Sequence, residues 1–315
     1  MQYRRLGNTG TKVSSVALGG WINYGEGKTA QEAAQQVIRT AYEKGINYFD
    51  IADVYGRGEA EKEMGAVLRD FPRHTLVIAS KVFWPMSDDV NDRGLSRKHI
   101  MESVEKSLKR VGTDYIDIYF CHRPDPETPL LETARAMDDL IHQGKVLYWG
   151  TSMWEGSQIA EVYQLCERYN LYAPVAEQPQ YSMLERERVE REILPIIEPR
   201  GIGLVAFSPL GQGMLTGKYD KGIDEGTRFH RETWARDRFF NDANVTRVRK
   251  LKEIADELGA NRAQLALAWV LRNSGVSSAI IGATRPEQVE DNVQAINFVE
   301  KLGNEVLQRI DAILA

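Results

Sequence analysis

The sequence predicts an α/β chain closed into a (β/α)8 (TIM) barrel. Extended and helical patterns alternate along the whole chain, the extended segments number eight, and no linker or shift in composition divides the 315 residues. That count and length favour a closed barrel over an open doubly wound sheet. A solenoid would need a residue-level repeat signature, and the units share only a rhythm. One barrel domain spanning 1–315 is therefore expected.

The elements follow in order. Arg4-Arg-Leu-Gly-Asn-Thr-Gly-Thr-Lys-Val13 places a Gly-Asn-Thr-Gly turn between two short extended pieces, the mark of an N-terminal hairpin ahead of the main fold. Ser15-Val-Ala-Leu-Gly is strand-like, and Thr29-Ala-Gln-Glu32 has the capping-box spacing of a helix that runs to Lys44 and stops at Gly45. Strand 48–50 leads to helix 59–69, strand 76–81 to helix 96–111, and strand 115–121 to a helix opened by Thr128 with Pro129 in its first turn. Strand 146–152 leads to helix 155–169, and strand 174–178 to helix 186–200. Strand 203–208 enters a long Gly-rich, charged loop before helices 244–258 and 262–272, and the eighth strand, 278–282, precedes helix 286–296. A helix from Lys301 to Leu314 is left over, an extra C-terminal element expected to cross the outside or one end.

Composition removes several function classes. A net charge of −5 with lysines and arginines spread along helices argues against nucleic acid. Cys121 and Cys166 form no Cys-x-x-Cys pair and cannot make a disulfide framework, which points to a reducing compartment. The start has no apolar core of signal-peptide length, and no segment reaches 18 unbroken apolar residues, so the expectation is a cytoplasmic protein without membrane insertion.

In a barrel the chemistry sits at the C-terminal strand ends, where the chain places Asp50, Lys81, His122, Ser152, Gln178 and Ser208. Tyr55 follows Asp50 on the next loop. Seen singly, Tyr55 could be a packing aromatic, Lys81 a solvated strand end and His122 a core histidine. Together they make a proton-handling set. Asp50 can hold Lys81 charged, Lys81 can favour the tyrosinate and so lower the pKa of Tyr55, and His122 can hydrogen-bond the same substrate oxygen. Such a site donates a proton to a carbonyl oxygen, and since no side chain carries hydride chemistry, a cofactor has to.

Competing motifs fail on context. Gly25-Glu-Gly-Lys-Thr29 looks like the tail of a phosphate loop, but Ile22 stands where a Walker motif needs glycine. Gly201-Ile-Gly-Leu-Val-Ala206 runs into a strand instead of opening a helix after one. Cys121 and His122 are strand neighbours that point to opposite faces, so they cannot share a pocket. No ligand triad with metal spacing is found, and no metal is expected.

The chain closely resembles the aldo-keto reductases, and within them the branch that contains the β subunits of voltage-gated potassium channels. The resemblance is carried by Arg4-Arg-Leu-Gly, Gly45-Ile-Asn-Tyr-Phe-Asp-Ile-Ala-Asp-Val-Tyr-Gly, Arg93-Gly-Leu-Ser-Arg-Lys-His-Ile, Arg123-Pro-Asp-Pro, Tyr148-Trp-Gly-Thr-Ser and Ala266-Leu-Ala-Trp-Val-Leu-Arg-Asn, and it covers nearly all of 3–314. It implies a barrel that binds extended NADPH, with Tyr55 as general acid, Lys81 and Asp50 tuning it, and His122 orienting the carbonyl. It further implies that Ser152 and Gln178 hold the nicotinamide carboxamide and Phe207 stacks on its ring, with Trp21 and Asp50 beside them. Ser208, Pro209, Leu210, Gly211 and Gly213 would follow the pyrophosphate, and Gln288, Asp291 and Asn292 would meet the adenine. Trp21, Tyr55, Trp84, His122 and Trp154 would wall the substrate pocket.

Two departures matter. Channel β subunits usually place asparagine where His122 stands, and they often carry a long N-terminal extension, whereas this chain starts at the barrel; both favour a free-standing enzyme. Many relatives grip the 2′-phosphate of NADPH with a lysine and an arginine where this chain has Gly282 and Gln288. Lys218 and Arg228 in the loop after the seventh strand, with the helix start around Thr284, Pro286 and Glu287, are the expected substitutes, and Arg228 the strongest contact. The expectation is NADPH-dependent reduction of aldehydes, with ketones and sugar carbonyls as further candidates. The rival is a slow-turnover, redox-sensing regulatory subunit of a membrane channel. A small carbonyl compound is the expected partner, and self-association is left open.

Overall fold

The computed structural model describes residues 1–21 and 31–315. The rejected phosphate-loop segment and the Thr29 end of the expected capping box lie outside these described residues. Two short strands, β1 (Tyr3–Arg5) and β2 (Lys12–Ser14), pair antiparallel with Tyr3 opposite Ser14. Eight parallel strands follow: β3 (Val16–Gly19), β4 (Tyr48–Asp50), β5 (Val77–Val82), β6 (Ile116–Cys121), β7 (Val146–Ser152), β8 (Ala176–Gln178), β9 (Gly203–Phe207) and β10 (Val276–Ile281). Each pairs with its sequence neighbour, and β10 closes on β3, giving a (β/α)8 barrel with the hairpin as an addition.

Helices return the chain between strands. These are α1 (Gln31–Glu43), α2 (Glu59–Leu68), α3 (Arg97–Val111), α4 (Leu130–His142), α5 (Gly156–Tyr169) and α6 (Leu194–Ile197), then α7 (Arg228–Arg231), α8 (Thr233–Phe239), α9 (Asp242–Leu258), α10 (Arg262–Leu271), α11 (Pro286–Val293) and α12 (Asn304–Leu314). Their starts carry local reasons: Ser96 accepts the His99 N–H at 3.2 Å, and Asn261 and Gln264 form a reciprocal capping box at α10.

Strand alternation separates two apolar clusters. Tyr48, Ala79, Phe120, Ala176 and Val205 point into the barrel and fill it together with Leu6 and Val13 of the hairpin. Phe49, Ile78, Tyr119 and Cys121 point outward into the layer beneath the helices. Each such buried aromatic or branched side chain contributes roughly 1.5–3 kcal/mol. Inward-facing positions recur every two residues, so the next inward residues after Tyr48, Ala79, Phe120, Ala176 and Val205 are Asp50, Lys81, His122, Gln178 and Phe207. The barrel's apolar plug is thus the floor of the site. Below it, Arg4 locks the hairpin by donating to the carbonyls of Leu271 at 2.7 Å and Val276 at 2.8 Å. Gly7, at φ +53, comes so close to the barrel that a Cβ there would stand 2.3 Å from the Gly201 carbonyl oxygen.

Several expectations are corrected. Thr128 does not cap α4: its hydroxyl donates to Asp125 at 2.8 Å, and the helix starts at Leu130 after Pro129. The expected helix 186–200 is broken into a π turn (Val189–Ile193), α6 and a 3-10 turn (Glu198–Arg200), because Pro195 and Pro199 each remove a backbone donor. The loop after β9 contains α7 and α8 in addition to a 3-10 turn (Gly211–Thr216), pieces too short to show a helical period in the sequence. The last helix begins at Asn304 and packs against α9, where Arg309 makes paired bonds to Glu257 at 2.6 and 2.8 Å.

Candidate active site

Asp50 ends β4 on the inward face, Lys81 lies near the end of β5, and a turn of residues Tyr55–Gly58 carries the phenol back over them. Gly56 and Arg57 at φ +56 and +51 make that reversal. The Lys81 ammonium is fully buried and uses three donors in three directions: to Asp50 Oδ2 at 2.6 Å, to the Ile51 carbonyl at 2.8 Å and to the Tyr55 oxygen at 3.1 Å. Gln178 Nε2 donates to the other Asp50 oxygen at 2.8 Å, so the carboxylate is held on both sides. With its oxygen accepting from Lys81, the phenol keeps its own O–H to donate elsewhere.

The electrostatics correct one expectation. Burial pulls the Lys81 ammonium down, but Asp50 and Tyr55 together outweigh it and its pKa is raised. Tyr55 is not lowered: burial pushes the phenol up, and the neighbouring Lys81 charge offsets this only in part. Tyr55 therefore holds its proton at neutral pH, as an acid must before it acts. Burial, followed by the positive charges of Lys81 and Arg123, drives His122 well below the usual histidine range, so its imidazole is neutral. The ring stands edge-on to Tyr55 at 5.7 Å and to Trp84 at 6.3 Å.

These groups open into a cleft of about 1120 Å³. Trp21 stacks near Tyr55 at 6.3 Å and meets Phe207 edge-on at 6.4 Å, and Trp84 also lines the cleft. Trp154 does not: it is fully buried and absent from the lining, because the chain leaves the barrel there to form the Glu155–Gln158 capping box of α5. Trp234, on α8, stacks on Trp21 at 5.5 Å from outside the lining. Arg123 was missed as a site residue, although it stands one position past His122; it lines the cleft and lies 5.6 Å from the Trp84 ring.

Along the cleft, Ser152 donates its hydroxyl to the Gln178 carbonyl at 2.8 Å, which leaves its oxygen as an acceptor. Phe207, Ser208, Pro209, Leu210 and Gly213 line the next stretch. Gly211 does not line it: it is buried in the turn at φ +55, where a Cβ would face Leu184 and Leu215. Gln212, also missed, joins Ser208 at 2.5 Å and accepts from Arg228 at 2.7 Å, tying α7 to the loop after β9. Lys218, Arg228, Arg231 and Arg285 crowd one end. Burial and these three arginines lower Lys218 to about 8.

Gly282, Thr284, Gln288, Asp291 and Asn292 line the far end. The start of α11 differs from expectation, since Gln288 Oε1 already accepts the Thr284 N–H at 2.8 Å. Asp291 is held by Asn261 Nδ2 at 2.8 and 2.9 Å and by Gln264 Nε2 at 2.9 Å. Asn261, also missed, caps α10 and lines the cleft. Aromatic rings at one end, glycine turns in the middle and a cationic cluster beyond them give the cleft the length and chemistry to take an extended dinucleotide. Among the described residues no group of three or more His, Cys, Asp or Glu side chains is placed to hold a metal, and no helix is long and apolar enough to cross a membrane.

A parallel barrel sets a buried ammonium, carboxylate and phenol beside a long cleft with a cationic end, an arrangement that can transfer a proton. Residues 15–315 match the family model described as the Aldo/keto reductase family, and the chain belongs to that family. Its members are oxidoreductases that use a nicotinamide cofactor, NADH or NADPH, on small carbonyl compounds. The chain is 44% identical to a "Probable voltage-gated potassium channel subunit beta" of Arabidopsis thaliana, over 100% of this chain and 97% of that protein. It is 42% identical to a protein of the same name from Oryza sativa subsp. japonica, over 100% and 97%. It is also 42% identical to a "Putative voltage-gated potassium channel subunit beta" of Schizosaccharomyces pombe, over 99% of this chain and 93% of that one.

Proposed function

We propose that this protein is a cytoplasmic, single-domain NADPH-dependent reductase of aldehydes, with ketones and sugar carbonyls as further substrates. The observation that carries this reading is the Lys81 ammonium bonded at once to Asp50 and to Tyr55 beneath an aromatic-walled cleft. The cofactor, when bound, supplies the hydride. The remaining work belongs to the chain. Tyr55 and His122 bond the substrate carbonyl oxygen, Tyr55 gives it a proton as negative charge develops there, and Lys81 stabilises the tyrosinate that remains. Because His122 is neutral, it orients the oxygen without competing as an acid. Ser152 and Gln178 would fix the carboxamide, Phe207 the ring and Trp21 the mouth. Lys218 and Arg228, with Arg231 and Arg285, would meet the 2′-phosphate in place of the charges absent at Gly282 and Gln288.

A second reading rests on the relatives' names: a channel-associated subunit that binds the cofactor and turns over slowly. NADPH absorbance during reduction of a nitrobenzaldehyde separates the two. The reductase reading expects steady turnover by the wild type and a loss of roughly 10² to 10⁴ in Tyr55→Phe with NADPH binding kept. Equal rates in the two proteins would refute it, and binding without turnover would favour the regulatory subunit.

A further inference from the structure

Behind the loop that carries Tyr55 lies a second buried set of charges with no role in the scheme above. Asp53 precedes the turn, Glu61 stands in the first turn of α2, and both are fully buried. Glu61 accepts from Ser80 Oγ at 2.6 Å and from Arg110 Nε at 2.5 Å. Asp53 Oδ1 accepts the Val54 N–H at 2.6 Å, and its Oδ2 accepts the Ser103 hydroxyl at 2.9 Å. Val54 is the residue before Tyr55 and Ser80 the residue before Lys81. Each carboxylate thus grips the chain one residue behind a member of the proton-donating pair, and α2 and α3 are tied to β5 and to the loop after β4.

We propose that Asp53 is a positioning residue for Tyr55, holding the Val54 N–H so that the phenol stays within reach of Lys81, while Glu61 supports Lys81 through Ser80. The groups that face Asp53 are Glu61 from α2, Ser103 and Arg110 from α3, and the buried Tyr119 phenol from β6. Two carboxylates here share one guanidinium, so one negative charge is uncompensated. Burial and then Glu61 push Asp53 up to about 7, against the Ser103 bond, the Val54 N–H and Arg110. Near neutrality Asp53 therefore exchanges a strong, charged acceptor for a weaker, neutral one, and the hold on the Tyr55 loop loosens as pH falls. His122 stays neutral throughout that range and does not contribute.

The kinetic arm of the test rests on the reductase reading; the spectroscopic arm does not. Protein carrying ¹³C at the tyrosine Cζ is titrated, with the Tyr55 resonance assigned by its loss in Tyr55→Phe. The wild-type resonance should shift with an inflection near the value that burial gives Asp53, and kcat for the aldehyde should follow it, with KM and NADPH affinity flat. Asp53→Asn, which mimics the neutral acid, should abolish the inflection and hold kcat about three- to tenfold below wild type above pH 8. Ser103→Ala, which removes one bond to the ionised form, should move the inflection to higher pH and keep it. A flat wild-type resonance, an inflection that survives Asp53→Asn, or an unmoved one in Ser103→Ala would each overturn the proposal. Should Asp53→Asn fail to fold, Ser103→Ala alone decides. A wild type that reduces no aldehyde yet shows the inflection refutes the reductase reading and leaves Asp53 as proposed.

Discussion

At Lys81, three hydrogen bonds of 2.6, 2.8 and 3.1 Å converge on an ammonium with no solvent exposure. An ion that deep is tolerable only when its charge is matched and its donors are used. Lys81→Met removes the counter-charge of Asp50 and leaves that carboxylate with the Gln178 bond alone. The variant should lose about as much carbonyl reduction as a missing general acid, roughly 10² to 10⁴, and its rate should fall off at a different pH from wild type because Tyr55 loses the charge that offsets its burial. Kinetics across the neutral range check this, and an unchanged pH profile would mean that Lys81 does not tune Tyr55. The placement of these residues was legible because strand alternation and strand ends suffice to fix it. The net direction of the Tyr55 shift was not, because it depends on how much water the folded protein removes.

Among the elements, the eight strands and most helices were legible, since each unit shows its own period and stop signals. The region after β9 was not. There α7, α8 and the turn at Gly211–Thr216 are held by tertiary bonds such as Arg228 to Gln212, with little local periodicity. That is why Arg231, Gln212 and Trp234 escaped notice, while Lys218 and Arg228 were singled out by charge and by their place in the loop after the seventh strand. Arg228 both bonds α7 to the loop and lines the cationic end of the cleft. Arg228→Ala should therefore weaken NADPH by about ten- to a hundredfold and NADH by less, since a charge-assisted phosphate bond contributes about 1.5–3 kcal/mol. Titration by quenching of tryptophan fluorescence reads both. Equal losses would assign Arg228 to fastening only.

Across the whole molecule, the barrel hides carboxyls whose protonation couples folding to pH. Burial raises Glu177 from 4.5 to about 7, against the Thr151 bond and the Arg188 charge. A carboxyl raised in the folded state contributes stability that is fully present below its unfolded pKa and is lost as pH rises through its folded one. Glu177→Gln removes that loss. Denaturant unfolding should show the variant gaining on wild type by about 3 kcal/mol between pH 4 and pH 8, and a pH-independent difference would show that folding does not raise the Glu177 carboxyl. The central claim concerns where hydrogen goes: a hydride from the cofactor to carbon and a proton by way of Tyr55. The most direct test supplies NADPH deuterated at both C4 positions with an aldehyde and weighs the alcohol by mass spectrometry. The account predicts a product carrying one deuterium on the carbinol carbon, formed by wild type and far more slowly by Tyr55→Phe. Unlabelled alcohol, or labelled alcohol formed equally fast by both proteins, would contradict it.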